Sequence, residues 1–245
     1  FSTNGSIPDL ESQFLLFAVG GGLAQILATV CVILVFKSRN FAVGITLKKT
    51  EVILTALVGL ILIGEGVSTI SMFLICLGGA GVFFLSKKVS SVDRSNFSIL
   101  NKSAVYGLLS GLLFAISAVC YRSATLSVVS DLVYLRAGFT LLIVILSQSF
   151  VMTIWLALFE PGQIKLVWLE RKKGFWVGVT SLGGSFFWFT AFTLQNAAYV
   201  KAVGQIELIF SLLITTLFFK ERILNKEILG MLLIGISALG LILVV

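Results

Sequence analysis

Long apolar runs separated by short polar clusters dominate the chain. Stretches of the length that lets a helix cross a hydrocarbon core, about 20 residues, fall at roughly 14–36, 42–64, 68–86, 104–124, 132–157, 174–197, 202–219 and 227–245. They predict eight transmembrane helices. Most connections are short, so consecutive helices are expected to be antiparallel neighbours. Two are longer: Lys87 to Ser103, and Glu160 to Lys173, where Pro161-Gly162 reads as a helix break. Phe1–Gln13, with its Ser, Thr, Asn, Gly, Pro and acidic residues, reads as a loop, and no segment reads as a soluble domain.

Composition points the same way. Hydrophobic residues make up 58% and charged residues 12% of 245, with a mean hydropathy of +1.09. Soluble domains carry about 45–50% apolar and about 25% charged residues. The chain has no histidine, which removes imidazole metal sites, histidine haem ligation and His-based acid/base chemistry. Cys31, Cys76 and Cys120 lie inside apolar runs and read as packing residues. No metal site and no cofactor are expected, and no GxxxxGK[ST] phosphate loop occurs. The net charge of +7 does not indicate nucleic acid, because the basic residues sit in the gaps between spans rather than on one water-facing patch.

Residues 40–65 and 196–221 align without a gap at an offset of 156. Asn40 falls on Asn196, Ala42 on Ala198, Glu51 on Glu207, Ile53 on Ile209, Leu57 on Leu213 and Glu65 on Glu221. Aliphatic matches are cheap in such a composition. The glutamates are informative, since the chain has only eight and two pairs coincide with the same spacing. An internal duplication follows. The second copy opens with two helices, 104–124 and 132–157, that have no counterpart in the first. The expected natural chain therefore extends upstream by about 55–65 residues, two helices of about 20 residues each plus loops. The design is then ten helices, five plus five, of which eight are present. An odd number of spans per copy makes the two copies face opposite ways, as in secondary transporters. The expected division is 1–86 for the remainder of the first copy, 87–103 for the connecting loop and 104–245 for the second copy.

Each copy ends with a helix, a Glu at the helix end and a glycine-bearing helix: "ALVGLILIGEGVSTISMFLICLGGAGVFF" and "SLLITTLFFKERILNKEILGMLLIGISALGLILVV". This pattern resembles the EamA-like branch of the drug/metabolite transporter superfamily, in which a Glu closes the fourth helix of each five-helix repeat. The Arg near the start of that family's second helix is matched by Arg136 in "DLVYLRAGF". The resemblance implies export or exchange of small metabolites, often amino acids, driven by protons or by counter-substrate. The chain departs from the family in lacking the first two helices, which there help to line the cavity.

Thirteen Lys and Arg residues fall on one side of the predicted spans, among them Lys37, Lys87, Arg94, Arg171 and Arg222, against Arg122 and Lys201 on the other. The positive-inside rule makes the first side cytoplasmic and turns the end of helix 227–245 outward. The family's members more often have both ends in the cytoplasm. The charge bias is the better guide because it sits in short loops, where the rule works best.

Charges at membrane depth cost about 2.5–3.5 kcal/mol each on insertion scales, so ionisable residues within spans carry the functional argument. With Glu65 and Glu221 at helix ends, Glu51 lies fourteen residues away, about 21 Å along a helix. In a core about 30 Å thick this leaves it about 9 Å inside the cytoplasmic boundary. The inversion puts Glu207 at the mirror depth, so two carboxylates flank the midplane. Lys48 shares a helical face with Glu51 and could simply neutralise it. Glu207 has no basic neighbour on its own helix, so its partner comes from another helix, from substrate or from a proton. Lys48 and Lys49 align with Gly204 and Gln205 and break the repeat. They either snorkel to the interface or meet an anionic substrate group. Arg136 either anchors its helix or pairs with Asp131 or a cavity carboxylate.

Trp188, Phe192 and Gln195 share a helical stripe that is either packing or a wall for an amphipathic solute. Gly107, Gly111 and Ala115 form a small-xxx-small face suited to close helix packing. Gly20-Gly21-Gly22 implies close approach or a kink, with Gln25 one turn on as a cavity group. The candidate substrate- and ion-binding residues are Glu207, Glu51, Lys48, Lys49, Gln205, Arg136, Trp188 and Gln195. The resulting expectation is an all-α polytopic membrane protein, a non-enzymatic exporter or exchanger of small amphipathic metabolites in a bacterial inner membrane. Its partners are a small-molecule substrate, protons, the lipid bilayer and a second copy of itself, and not nucleic acid. Two other readings stay open: an integral-membrane enzyme acting on lipid or isoprenoid substrates, and a transport-inactive fragment or structural subunit. The enzyme reading needs clustered Asp, Glu, His or Cys at one interface, whereas Asp93, Asp131, Glu160 and Glu170 are scattered.

Overall fold

A computed structural model describes residues 8–38, 41–86, 102–219 and 225–244. Helices account for nearly all of them: α1 (Phe14–Phe36), α2 (Phe41–Lys48), α3 (Glu51–Ile63), α4 (Thr69–Ser86), α5 (Lys102–Leu126), α6 (Val133–Phe159), α7 (Pro161–Leu169), α8 (Arg171–Leu194), α9 (Ala197–Gly204), α10 (Ile206–Phe219) and α11 (Asn225–Val244). The only strands among these residues, β1 (Asp9–Leu10) and β2 (Val128–Val129), pair antiparallel. A lipid core offers the backbone no hydrogen-bond partners, so a helix is the form in which such apolar runs satisfy themselves. Among the described residues six stretches are long and apolar enough to cross a membrane: Phe14–Phe36, Lys102–Leu126, Val133–Phe159, Arg171–Leu194, Ala197–Phe218 and Asn225–Val244. The chain is a multi-pass integral membrane protein.

The structure departs from the sequence expectation at three places. The predicted spans 42–64 and 202–219 are not single helices. Each is broken, the first between α2 and α3 and the second between α9 and α10, so Ala197–Phe218 is one span by length and apolarity only. Third, the helix does break at Pro161-Gly162, but the connection that follows is itself helical, with Pro161 in the first turn of α7. There proline's missing N–H would have had no partner anyway and its fixed φ suits the helix. Exposed Trp168 and Arg171, whose guanidinium lies 5.3 Å from the Trp168 ring, suit an interfacial position for α7.

Element boundaries repeat at the sequence offset. Subtracting 156 from α9 (Ala197–Gly204) gives 41–48, the bounds of α2, and α3, α4 and α1 correspond to α10, α11 and α8 with ends that agree to within two residues.

The chain divides into two compact units: Phe1–Ile26 with Cys120–Gln195, and Leu27–Val119 with Asn196–Val245. In the first, Gly21 lets Cys120 and Tyr121 approach so closely that a Cβ would lie 2.9 Å from both. Gln25 Oε1 accepts hydrogen bonds from Tyr121 Oη at 2.7 Å and Gln148 Nε2 at 2.8 Å, and Gln148 Nε2 also reaches the Gly22 carbonyl at 3.2 Å. Such side-chain bonds hold helices together where no hydrophobic force acts between them. The glycine run thus gives close approach, and α1 continues through it as one helix.

In the second unit, α4 and α11 pack through small residues. Ser237 Oγ donates to the Leu74 carbonyl at 2.7 Å, and a Cβ on Gly81 would lie 2.7 Å from the Gly230 carbonyl. Leu74 meets Gly240 while Leu85 meets Gly230, so the two helices run antiparallel. The contacts Gly78–Ser237 and Gly81–Ile234 exchange when 156 is added to one partner and subtracted from the other, as a local two-fold axis requires. Beside them Val52, Ala56, Ile75, Ala198, Ala202 and Leu241 form a buried cluster that ties α3 and α9 to this pair.

Candidate functional site

Both helix breaks have a local cause. After α2 the ladder tightens: Lys49 N–H bonds the Thr46 carbonyl and Thr50 N–H the Leu47 carbonyl, three residues back rather than four. Thr50 Oγ1 also donates to the Leu47 carbonyl at 2.7 Å, competing with the regular ladder. After α9, Gln205 N–H bonds the Ala202 carbonyl and Leu208 N–H bonds the Gln205 carbonyl, again three residues back. Gly204, a poor helix former, ends α9 there. The Asn196 side chain caps its other end by accepting from Ala198 N–H at 2.8 Å.

The breaks change where the charges sit. Glu51 is the first residue of α3 and Glu207 lies in the first turn of α10, not in mid-helix as continuous spans predict. A carboxylate is favoured there by the helix dipole. Lys48 and Lys201 lie in the last turns of α2 and α9, where a cation is favoured.

These groups meet within the second unit. Lys201 Nζ lies 2.5 Å from Glu51 Oε1, with side chains 19% and 13% exposed. Lys49 Nζ lies 3.5 Å from Glu207 Oε1, and the Glu207 side chain is 64% exposed. The pairs are reciprocal: each glutamate meets a lysine from the other copy of the repeat. Lys49 stands two residues from Glu51, so both carboxylates belong to one cluster. Glu51 pairs with Lys201 and not with Lys48, because α2 ends between them. Lys48 Nζ lies instead 4.7 Å from the centroid of the Phe114 ring, and Lys201 Nζ 5.9 Å from it. Gln205, the counterpart of Lys49, has a buried Oε1 with no hydrogen-bond partner among the described residues.

Helix α5 closes on this cluster along its glycine face. The space a Gly107 Cβ would fill is taken by the Gly44 backbone, and a Cβ on Gly111 would lie 2.9 Å from the Lys48 carbonyl and 3.5 Å from Thr50 Oγ1. Phe114 follows Gly111 by three residues and so shares that side of the helix.

The other candidates belong to the first unit. Arg136 Nε donates to the Thr125 carbonyl at 2.9 Å, which makes it an anchor between α6 and the end of α5. Trp188 packs on Phe192, ring centroids 5.7 Å apart, and Phe192 is buried. Gln195 ends α8, and its carbonyl, with that of Phe192, accepts from Arg122 Nη1 at 2.9 and 2.7 Å. Arg122 thereby caps the helix C-terminus. Sequence reasoning passed over Lys201, Phe114 and Arg122. Lys201 had a signal: it lies six residues before Glu207 and one residue outside the predicted span 202–219, where it reads as a loop charge. Glu65 lies just past Gly64, whose φ of 70° ends α3 in the left-handed region that glycine adopts freely. Glu221 and the 87–101 segment lie outside the described residues.

No known family model matches the chain, and no curated protein matches it. A solved structure described as "Crystal structure of protein" is similar, with a TM-score of 0.61 at 14% identity over 100% of this chain and 92% of that one. At that identity the likeness shows a shared fold.

Proposed function

We propose that this chain is a secondary transporter of the EamA-like drug/metabolite type, moving small amphipathic metabolites such as amino acids across a bacterial inner membrane by alternating access. The observation that carries the reading is the pair of helices broken at equivalent repeat positions, joined by the Lys49–Glu207 and Lys201–Glu51 pairs. Taking α2 with α3 and α9 with α10 as one crossing each gives eight spans. The antiparallel contact of α4 with its counterpart α11 supports inverted repeats. Discontinuous helices whose ends converge near the midplane are the ion and substrate sites of such transporters. A carboxylate as exposed as that of Glu207 is too costly against lipid tails and fits a water-filled cavity. We assign coupling to protons to this carboxylate, the more exposed of the two in the cluster.

Counterflow in proteoliposomes tests this, with a panel of labelled amino acids that includes acidic ones. The wild-type chain is expected to exchange at least one of them and to be stimulated by a pH gradient. Glu207→Gln keeps size and hydrogen bonding but cannot titrate, and should retain counterflow while losing gradient stimulation. Absence of exchange across the panel overturns transport. Wild-type gradient stimulation in Glu207→Gln removes the proton role alone.

A further inference from the structure

Three lysines and two glutamates make up the cluster at the helix breaks, which leaves one positive charge in excess among the described residues. The excess is assignable to one residue. Lys201 has Glu51 and Lys49 has Glu207. Lys48 has no carboxylate within ion-pair distance among the described residues and rests over the Phe114 ring. A cation–π contact offsets part of the cost of removing an ammonium from water but does not neutralise it. The helix ends do not settle the balance either. Two helix C-termini and two N-termini converge here, so their partial charges oppose one another.

From this geometry we propose that the cluster selects amphipathic monoanions, holding the anionic group at Lys48 and the apolar part against Phe114. The inference rests on the transport reading and adds the substrate's charge class to it. A site that closes to water on both faces during alternating access must be near neutral when loaded, because an unpaired charge in a low-dielectric interior is costly. A solute with one net negative charge meets that condition with both ion pairs left in place. A zwitterion leaves the excess cation unpaid, and a cationic solute adds to it. Lys201 is the second ammonium near the same ring, so an anion beside Phe114 has two positive groups near it, one of them already committed to Glu51. Gly111 fixes this arrangement, since its missing Cβ is what allows α5 to carry Phe114 up to the Lys48 backbone.

A matched series separates charge from shape: N-acetylphenylalanine, phenylalanine and phenylalaninamide, which at about pH 6, below the α-amino range, carry −1, 0 and +1 on the same apolar side chain. In counterflow with the full chain in proteoliposomes, the N-acetyl compound should exchange at least about tenfold faster than the other two. It alone should raise the thermal stability of the detergent-solubilised protein. Lys48→Met should abolish that preference and Lys48→Arg should keep it. If Lys48→Met does not accumulate, the wild-type ranking and the Lys48→Arg variant still decide. Equal exchange of phenylalanine and its N-acetyl derivative, or an unaltered preference in Lys48→Met, overturns the charge assignment while leaving transport standing. No exchange of the three or of the wider amino-acid panel overturns both.

Discussion

Glu51 and Glu207 occupy equivalent positions in the repeat, yet their surroundings differ, and the difference sets what each residue can do. The Glu51–Lys201 pair is short and mostly buried, while Lys49–Glu207 is longer and its carboxylate is largely exposed. Removing one partner of a buried pair strands the other and costs about 3–5 kcal/mol, whereas an exposed pair contributes about 0–1 kcal/mol. Lys201→Met or Glu51→Gln alone is therefore expected to lower stability strongly in detergent denaturation, and the double variant to recover much of the loss. Lys49→Met should change stability by less than about 1 kcal/mol. Equal losses in Lys201→Met and Lys49→Met would contradict this division into a buried pair and an exposed one. The lysines, unlike the glutamates, do not recur at the offset: the counterpart of Lys201 is Ile45 and that of Lys49 is Gln205.

At the scale of elements, short helices meet at a break that one glycine face of α5 accommodates. Gly111 is in contact with the Lys48 carbonyl, and Gly107 with the Gly44 backbone. A side chain at Gly111 has to push α5 away from the break, taking Phe114 from Lys48. Glycines on α8 provide the control, since a Cβ at Gly184 meets nothing within 4 Å. Gly111→Leu is expected to cost about 1–3 kcal/mol, as overpacking generally does, and to reduce exchange at least tenfold in proteoliposomes at matched protein levels. Gly184→Leu should leave both unchanged. Wild-type exchange in Gly111→Leu would show that α5 does not position the cluster.

For the molecule as a whole, the charge bias between the ends of the spans predicts orientation. Lys165, Arg171, Lys172 and Lys173 lie on or beside α7, on the side the positive-inside rule makes cytoplasmic, and Asp131 stands at the opposite end of α6. Cysteine placed at Gln163 should be shielded from an impermeant thiol reagent in intact cells, and cysteine placed at Asp131 should be labelled. The reverse pattern inverts the topology and brings the ends of the spans to the sides that the family resemblance implies.

Several features of this protein are fixed by local chemistry and are legible in the chain. Apolar runs about 20 residues long can satisfy their backbone only as helices, so the membrane class and the positions of α1, α4, α5, α6, α8 and α11 follow from the sequence. The paired glutamates at a constant offset also disclose the equivalent elements, because a rare residue in an apolar chain marks its position. Tertiary structure decided the rest. Hydropathy is blind to a ladder that shifts by one carbonyl, so 42–64 and 202–219 read as unbroken spans although Thr50 and Gly204 interrupt them. Counting along a continuous helix then gives no sign that Glu51 and Glu207 belong to one cluster. Lys201 looked like a loop charge because its partner lies 150 residues away, and no local spacing reports a contact at that separation. The ion pairs that define the site exist only once two distant helices break at the same repeat position and their ends are packed together.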